Sequence, residues 1–477
     1  MINLNYDPQI KQWIQNHQDE ILQEWIEISK TPAIKGKPEK NAPFGKECAK
    51  ALTECAQLFK KHGFDSKVYT DSGYALSTFG KGEKTIGLFG HSDVVPVGED
   101  WLYTKPFEPI IKDGTLIGRG VWDNKSGIMA ALCAMEIIRD CNIPIKSKLL
   151  AFIGSEEETG MTDITAFAKE QPMPDASLIL DAEFPCSIGE KGIYHFWARC
   201  NKHTSDILDF CGGEAFNVVL DKATVVLNDS DAIKTQLTEK IKGNTSFSLK
   251  CEKDTLTLTA KGIAKHASEP EGSVNAAYLI SSLLCELDSL SDNDRNIMQQ
   301  ISTALSCPFG TSMGLDHDDI RFGKLTFVNG IVSMADGHIS LSFDTRYGST
   351  LVPEVLENNV NNSFDQLGWS VSPVDNKKGF SIPDDSPIPA VLEGIYNEIT
   401  GLDEKVFRLG GGTYARLLEN AFSVGTCTTR KDREKPFMTM PPGHGGAHQC
   451  DEMIDIEGFF DAVRIITHYI INMDECI

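Results

Sequence analysis

A chain of 477 residues is too long for one typical hydrophobic core, so two or three domains are expected. The composition, 41% hydrophobic and 24% charged with no long biased tract, is that of an ordinary globular protein. A net charge of −23 argues against nucleic acid and anionic membrane surfaces as partners.

The N-terminal stretch MINLNYDPQIKQWIQNHQDE lacks the basic and apolar blocks of a signal peptide, and no later apolar run approaches the ~18 residues of a membrane span. Helical periodicity covers 8–29 and 46–62. Short apolar runs at 86–90 (IGLFG), 148–154 (KLLAFIG) and 177–181 (SLILD) read as buried strands. Between them, SGIMAALCAMEIIRD places Ile128, Leu132, Met135 and Ile138 on one helical face. This alternation predicts an α/β layer with a mostly parallel central sheet flanked by helices.

The pattern changes near residue 188. IYHFWARC, DKATVVLN, TSFSLKCE and TLTLTAKG alternate in and out as half-exposed antiparallel strands do, with helices expected at 273–289 and 353–367 and a late strand in ISLSFDTRY. Helical patterns return at 388–400 and 451–472, the last with Ile456, Phe460, Val463, Ile466 and Ile470 on one face. The chain is therefore read as a discontinuous α/β domain, 1–187 and 383–477, interrupted by an inserted α+β domain at 188–382.

Five segments carry chemistry: GHSD (His91, Asp93), GRGVWDNKSG (Asp123), GSEEETG (Glu156, Glu157, Glu158), LILDAEF (Asp181) and GGAHQCDE (His448). The first four follow or adjoin apolar strands, and ligands of open α/β sheets gather beyond the carboxyl ends of strands. Histidine and carboxylate donors suit zinc or manganese, and two divalent ions would balance a carboxylate cluster that otherwise repels itself. Adjacent residues at a strand end point in different directions. One of Glu157 and Glu158 can therefore bind metal while the other faces a water as general base. Thirteen scattered cysteines without a CxxC pair fit free thiols in a reducing compartment, so a cytoplasmic location is expected.

In combination, HSD after a strand, GRG-x-x-D-x-K-x-G, EETG, DAEFP, KHASEPEGSVNA, DTRY, GGGTYAR and AHQCDE resemble metallopeptidase family M twenty. These are the co-catalytic zinc peptidases, and the likeness runs closest to the bacterial broad-specificity dipeptidases. The resemblance implies two divalent ions, zinc foremost with manganese or cobalt as substitutes. It implies that Asp123 bridges them, that His91 and Asp181 complete one site, and that Glu158 and His448 complete the other. Asp93 would hold the His91 ring, and Glu157 would be the general base. A cis peptide is expected between Asp123 and Asn124.

The resemblance further implies that 1–187 and 383–477 form the catalytic metal-binding domain and that 188–382 acts as a lid, from which His266 would stabilise the oxyanion. Asn217 and Arg346 would bind the substrate carboxylate, and the backbone of Gly411, Gly412 and Thr413 would lie against the substrate. The implied function is hydrolysis of dipeptides, with N-acyl amino acid deacylation of the aminoacylase or desuccinylase type as the alternative. The long lid favours a monomer over a homodimer.

Two departures stand out. Asn124 occupies a place where many relatives have aspartate, and it is expected to affect no ligand directly. TTRKDREKPFMTMPPGHGG, before His448, is longer than expected and contains His444, a rival ligand. His17 and His62 are read as exposed helical positions, Glu156 as facing solvent, and His195, His203 and His338 as structural or surface residues.

Overall fold

The computed structural model describes residues 2–428, 438 and 440–477; part of the TTRKDREKPFMTMPPGHGG stretch therefore lies outside the described residues. Two compact units emerge. One comprises Met1–Gly189, Ile382–Phe407 and Thr413–Ile477, and the other comprises Glu190–Ser381 and Arg408–Gly412. These boundaries differ from the expected 1–187, 188–382 and 383–477 chiefly in one respect. The short segment Arg408–Gly412 groups with the second unit, so the expected catalytic segment 383–477 is itself interrupted.

The first unit carries α1 (Asp7–Ile28), α2 (Lys46–Lys61), β1 (Asp65–Tyr69), β2 (Tyr74–Phe79), β3 (Thr85–His91), α3 (Lys125–Asp140) and β4 (Lys148–Gly154). It continues with α4 (Thr162–Glu170), β5 (Ala176–Ala182), α5 (Ile388–Thr400), β6 (Ala421–Gly425) and α6 (Ile456–Met473). Its sheet runs in the order β1-β2-β4-β3-β5-β6. β3 pairs in parallel with β4 and β5, and β5 with β6, while β1 and β2 form an antiparallel edge. The parallel strands are buried along nearly their whole length, as strands covered on both faces must be.

α3 is buried from Lys125 to Ile138, and its small residues Gly127, Ala130, Ala131 and Ala134 admit close neighbours. α6 is nearly all buried, and Phe459 packs against Trp25 of α1 with ring centroids 4.2 Å apart. The helix expected over 451–472 begins at Ile456. The Asp455 side chain accepts from the Gly458 N–H as N-cap, and Met453–Asp455 pairs instead with Thr115–Ile117.

In the second unit, 326–328, 338–347, 192–200 and 369–377 form an antiparallel sheet in that order, with 332–335 paired to 338–341. A second antiparallel sheet runs 207–211, 222–228, 255–261, 247–251. Lys222–Asn228 alternates buried and outward positions, and Val225, Leu227, Leu256 and Leu258 face the core shared with helices 276–284 and 292–305. The helix expected over 273–289 is shorter, Ala276–Leu284, because the Asn275 side chain accepts from the N–H groups of Ala277 and Tyr278 and so starts it.

Candidate metal centre

The parallel register brings the chemical segments to one rim. His91 is the last residue of β3 and pairs with Gly154, the last of β4, so Ser155–Glu158 begins beside it. Asp181 lies near the end of β5, and Asp123 just precedes α3. The Asp123–Asn124 peptide is cis.

Each oxygen of Asp123 faces a different histidine. Oδ1 lies 3.2 Å from His91 Nε2, and Oδ2 lies 3.0 Å from His448 Nε2. His448 Nε2 is also 3.0 Å from Glu158 Oε2, and His91 Nε2 is 3.7 Å from Asp181 Oδ2. Donor atoms of His91, Asp123 and Glu158 lie within 4.8 Å of one another, as do those of His91, Glu157 and Asp181. Both sets could hold a metal ion.

The residues fit such ions on two observations. His91 Nε2, Glu157 Oε1 and Glu158 Oε1 are buried and make no hydrogen bond among the described residues. Buried polar atoms rarely go unsatisfied, so this trio suits donors awaiting a cation. The electrostatics agree. Burial, then the nearby Asp123, pushes Asp181 up to about 8. Burial and Asp181 drive Glu157 well above the ordinary carboxylate range, and burial and Asp123 also raise Glu158. Hydrogen bonds to Asp123 and Glu158 push His448 up to about 11. Burial opposes ionisation of Asp123, but His448 and His91 outweigh it and hold that carboxyl below its ordinary value. Without a cation, these carboxylates can stay together only by sharing protons.

The supporting groups explain the local path of the chain. Asp93 accepts from the backbone N–H of Glu157 (3.1 Å) and of Glu158 (3.2 Å), fixing how these two residues leave β4. Its carboxylate lies 3.4 Å from His91 Nδ1, whereas its own carbonyl is closer at 3.1 Å. Asp93 thus braces the glutamate turn at least as firmly as the histidine ring. Asp163 accepts from Ser155 N (2.8 Å), Glu156 N (2.9 Å) and Tyr414 Oη (2.7 Å), and the Tyr414 ring meets His91 edge-on.

Glu452 is fully buried and holds the loop before α3. Its carboxylate accepts from the N–H of Gly120 (3.1 Å), Trp122 (2.9 Å) and Asp123 (2.9 Å) and pairs with Arg119 at 2.6 Å. Arg119 Nη2 donates in turn to the His448 carbonyl at 3.4 Å. His448 has φ +65°, in the left-handed region, which sets its backbone apart from a continuing strand or helix. The rival His444 pairs with Asp451 at 2.7 Å, and Asp451 also accepts from the Leu102 and Tyr103 N–H groups. It is His448 that stands beside Asp123 and Glu158.

Two sequence expectations need correction here. Glu156 does not face solvent: it is 3% exposed, paired with Lys35, and accepts from Thr162 N at 2.9 Å. His62 is not an exposed helical position but is held between Glu136 (2.7 Å) and Glu24 (2.9 Å).

The remaining expected residues lie mostly in the second unit. Asn217 and His266 are exposed and adjoin through the Val218–His266 bridge and a bond from Ala267 N to Asn217 O of 2.9 Å. Arg346 is buried; Asp344 takes its Nε (2.6 Å) and Nη2 (2.7 Å), and Nη1 donates to Gly410 O at 3.3 Å. A Cβ on Gly410 would come within 2.6 Å of the Ser268 Cβ, whereas one on Gly411 would meet open space; Gly412 is half-buried. Thr413 belongs to the first unit, where its hydroxyl lies 2.9 Å from that of Ser423. His195, read as structural or surface, spans Asp344 (3.0 Å) and Asp375 (2.8 Å). Asn124 was noted only as a departure, and Arg119, Glu452 and Asp163 were not singled out. The motifs containing the first three named neighbouring residues, but nothing in their spacing told which backbone groups they would meet.

A donor cluster of histidines and carboxylates on the carboxyl rim of a parallel sheet is the arrangement that metal-assisted hydrolysis requires. The family model described as "Peptidase family M20/M25/M40" matches residues 87–472, and the chain belongs to that family. It is a peptidase of a metal-dependent, typically dinuclear family.

A Staphylococcus aureus (strain USA300) protein carrying the name "Putative dipeptidase" is 27% identical over 486 residues, spanning 97% of this chain and 99% of that protein. The "Putative dipeptidase YtjP" of Bacillus subtilis (strain 168) is 27% identical over 446 residues, spanning 90% and 92%. The fold is shared with human carnosine dipeptidase 1 (TM-score 0.60, 14% identity, 98% and 99% of the two chains). It is also shared with the dipeptidase Dug1p of Saccharomyces cerevisiae (TM-score 0.60, 14% identity, 98% of each). Among the described residues, no helix is long and apolar enough to cross a membrane.

Proposed function

We propose that the protein is a dipeptidase working at a pair of divalent ions. The observation that carries the reading is the placement of Asp123, whose two oxygens face His91 and His448 separately. His91 and Asp181 would serve one ion, Glu158 and His448 the other, and Asp123 both. The mixed nitrogen and oxygen donors favour zinc, with manganese or cobalt able to substitute. Bound there, two divalent ions supply Lewis acidity at the scissile carbonyl and lower the pKa of the attacking water.

The chain's own groups do the rest. Glu157, with a buried and unbonded Oε1, takes the proton of the attacking water and delivers it to the leaving amine. Asp93 fixes the turn that carries Glu157 and Glu158 by accepting from both backbone N–H groups. His266 donates to the carbonyl oxygen as it gains charge. Arg346 and Asn217 hold the substrate carboxylate, with the Gly411, Gly412 and Thr413 backbone alongside. In this reading the first unit is the catalytic domain and the second a lid, and the protein acts as a cytoplasmic monomer on small peptides. The names of the bacterial relatives support dipeptides over N-acyl amino acids.

The test is a panel of dipeptides beside N-acetyl and N-succinyl amino acids, run on chelator-stripped protein restored with zinc, manganese or cobalt. Cleavage of dipeptides after metal restoration is expected. Cleavage of acyl amino acids alone would move the assignment to a deacylase.

A further inference from the structure

Asn124 is 1% exposed and sits behind the donor cluster. Its Nδ2 donates to the Leu180 carbonyl at 2.6 Å and to Asp181 Oδ1 at 2.9 Å, while its Oδ1 accepts from the His91 backbone N–H at 3.2 Å. The orientation of the amide is fixed by its partners, since a carbonyl can only accept and a backbone N–H can only donate. Room for it is made by two glycines. A Cβ on Gly90 would stand 2.8 Å from Asn124 Oδ1, and one on Gly127 would stand 2.4 Å from it.

We propose that Asn124 is a positioning residue of the metal centre: its carboxamide ties the end of β3 to Asp181 and decides which Asp181 oxygen faces His91. The bond to Asn124 engages Oδ1, which leaves Oδ2 as the oxygen 3.7 Å from His91 Nε2. An ionised aspartate at 124 has the same shape but no donor, and it could keep the bond to Asp181 only by holding a proton; leucine at 124 offers neither donor nor acceptor. This inference rests on the metal-centre reading above, and it concerns the ion served by His91 and Asp181.

Zinc titration of stripped protein by calorimetry, with a competing chromophoric chelator, tests it without recourse to turnover. Wild type is expected to take up two ions. In Asn124→Leu and Asn124→Ala one of the two should bind about 10–100-fold more weakly, the range found when groups orienting metal ligands are lost. The cobalt-substituted variants should show an altered visible absorption spectrum. If Asn124→Ala does not fold, Asn124→Leu, which keeps most of the volume, carries the test. Two ions bound with wild-type affinity and an unchanged cobalt spectrum would overturn the proposal, as would equal weakening of both ions. Wild-type protein that takes up no metal would instead sink the hydrolase reading itself, and the inference with it.

Discussion

The backbone N–H of Ser268 donates to Nδ1 of His266 at 3.2 Å, and the Ser268 hydroxyl lies 2.6 Å from the same nitrogen. Because an N–H can only donate, Nδ1 is an acceptor and the neutral ring carries its proton on Nε2. His266 is thus preset as a hydrogen-bond donor, the form an oxyanion needs. His266→Ala should lower kcat by about 10²–10³-fold with little change in KM, as loss of one oxyanion donor does elsewhere. Steady-state kinetics on a good dipeptide check this. A rise in KM alone would mean that His266 only binds substrate.

Glu157 can be read as a base or, from its closeness to His91 and Asp181, as a ligand. The base role predicts that Glu157→Gln lowers kcat by about 10²–10⁴-fold while zinc uptake stays at the wild-type stoichiometry. Metal analysis of the purified variant separates the two roles. Loss of one ion would make Glu157 a ligand.

The buried Arg119–Glu452 pair joins the loop carrying Asp123 to the one carrying His448. Removing one partner strands the other charge, so Glu452→Ala should cost about 3–5 kcal/mol in denaturant unfolding. Replacing both by uncharged residues should cost less than that single change. A mild effect of Glu452→Ala would show that the loop does not depend on this carboxylate.

His62, with carboxylates against both ring nitrogens, is held protonated. Hydrogen bonds to Glu136 and Glu24 outweigh burial and raise it to about 9. Its ordinary value is about 6.5, so the stabilisation is fully present below that pH and is lost as pH rises through about 9. The upper figure is on the order of 3 kcal/mol. Unfolding of wild type and His62→Gln across this window should show the difference between them shrinking as pH rises. A difference that does not vary with pH would contradict the pairing.

Much of the first unit was legible because its strands and helices are marked by local pattern: 86–90, 148–154 and 177–181 lie within β3, β4 and β5. Helix 231–240 was missed because only Ile233 and Leu237 are buried along it, too few to set a period. The edge strand β1 and its neighbour β2 were missed as well, and Asp65–Tyr69 is nowhere fully buried. At the site, His91, Asp123, Glu158 and Asp181 could be proposed because each stands at or beside an element end. Their supports could not, since Glu452 meets the Asp123 backbone 329 residues away and Asn124 meets Asp181 across 57. Such pairings depend on the tertiary fold and leave no local trace. His62 misled for the same reason, because its burial comes from α1 and α3 and not from its own helix.

The most direct measurement of the central claim is stepwise addition of zinc to chelator-stripped protein while dipeptide hydrolysis is followed, with Asp123→Ala in parallel. The account predicts no turnover in the stripped protein, a rise that saturates near two ions per chain, and no recovery in the variant. Full hydrolysis without metal, or wild-type turnover by Asp123→Ala, would contradict it.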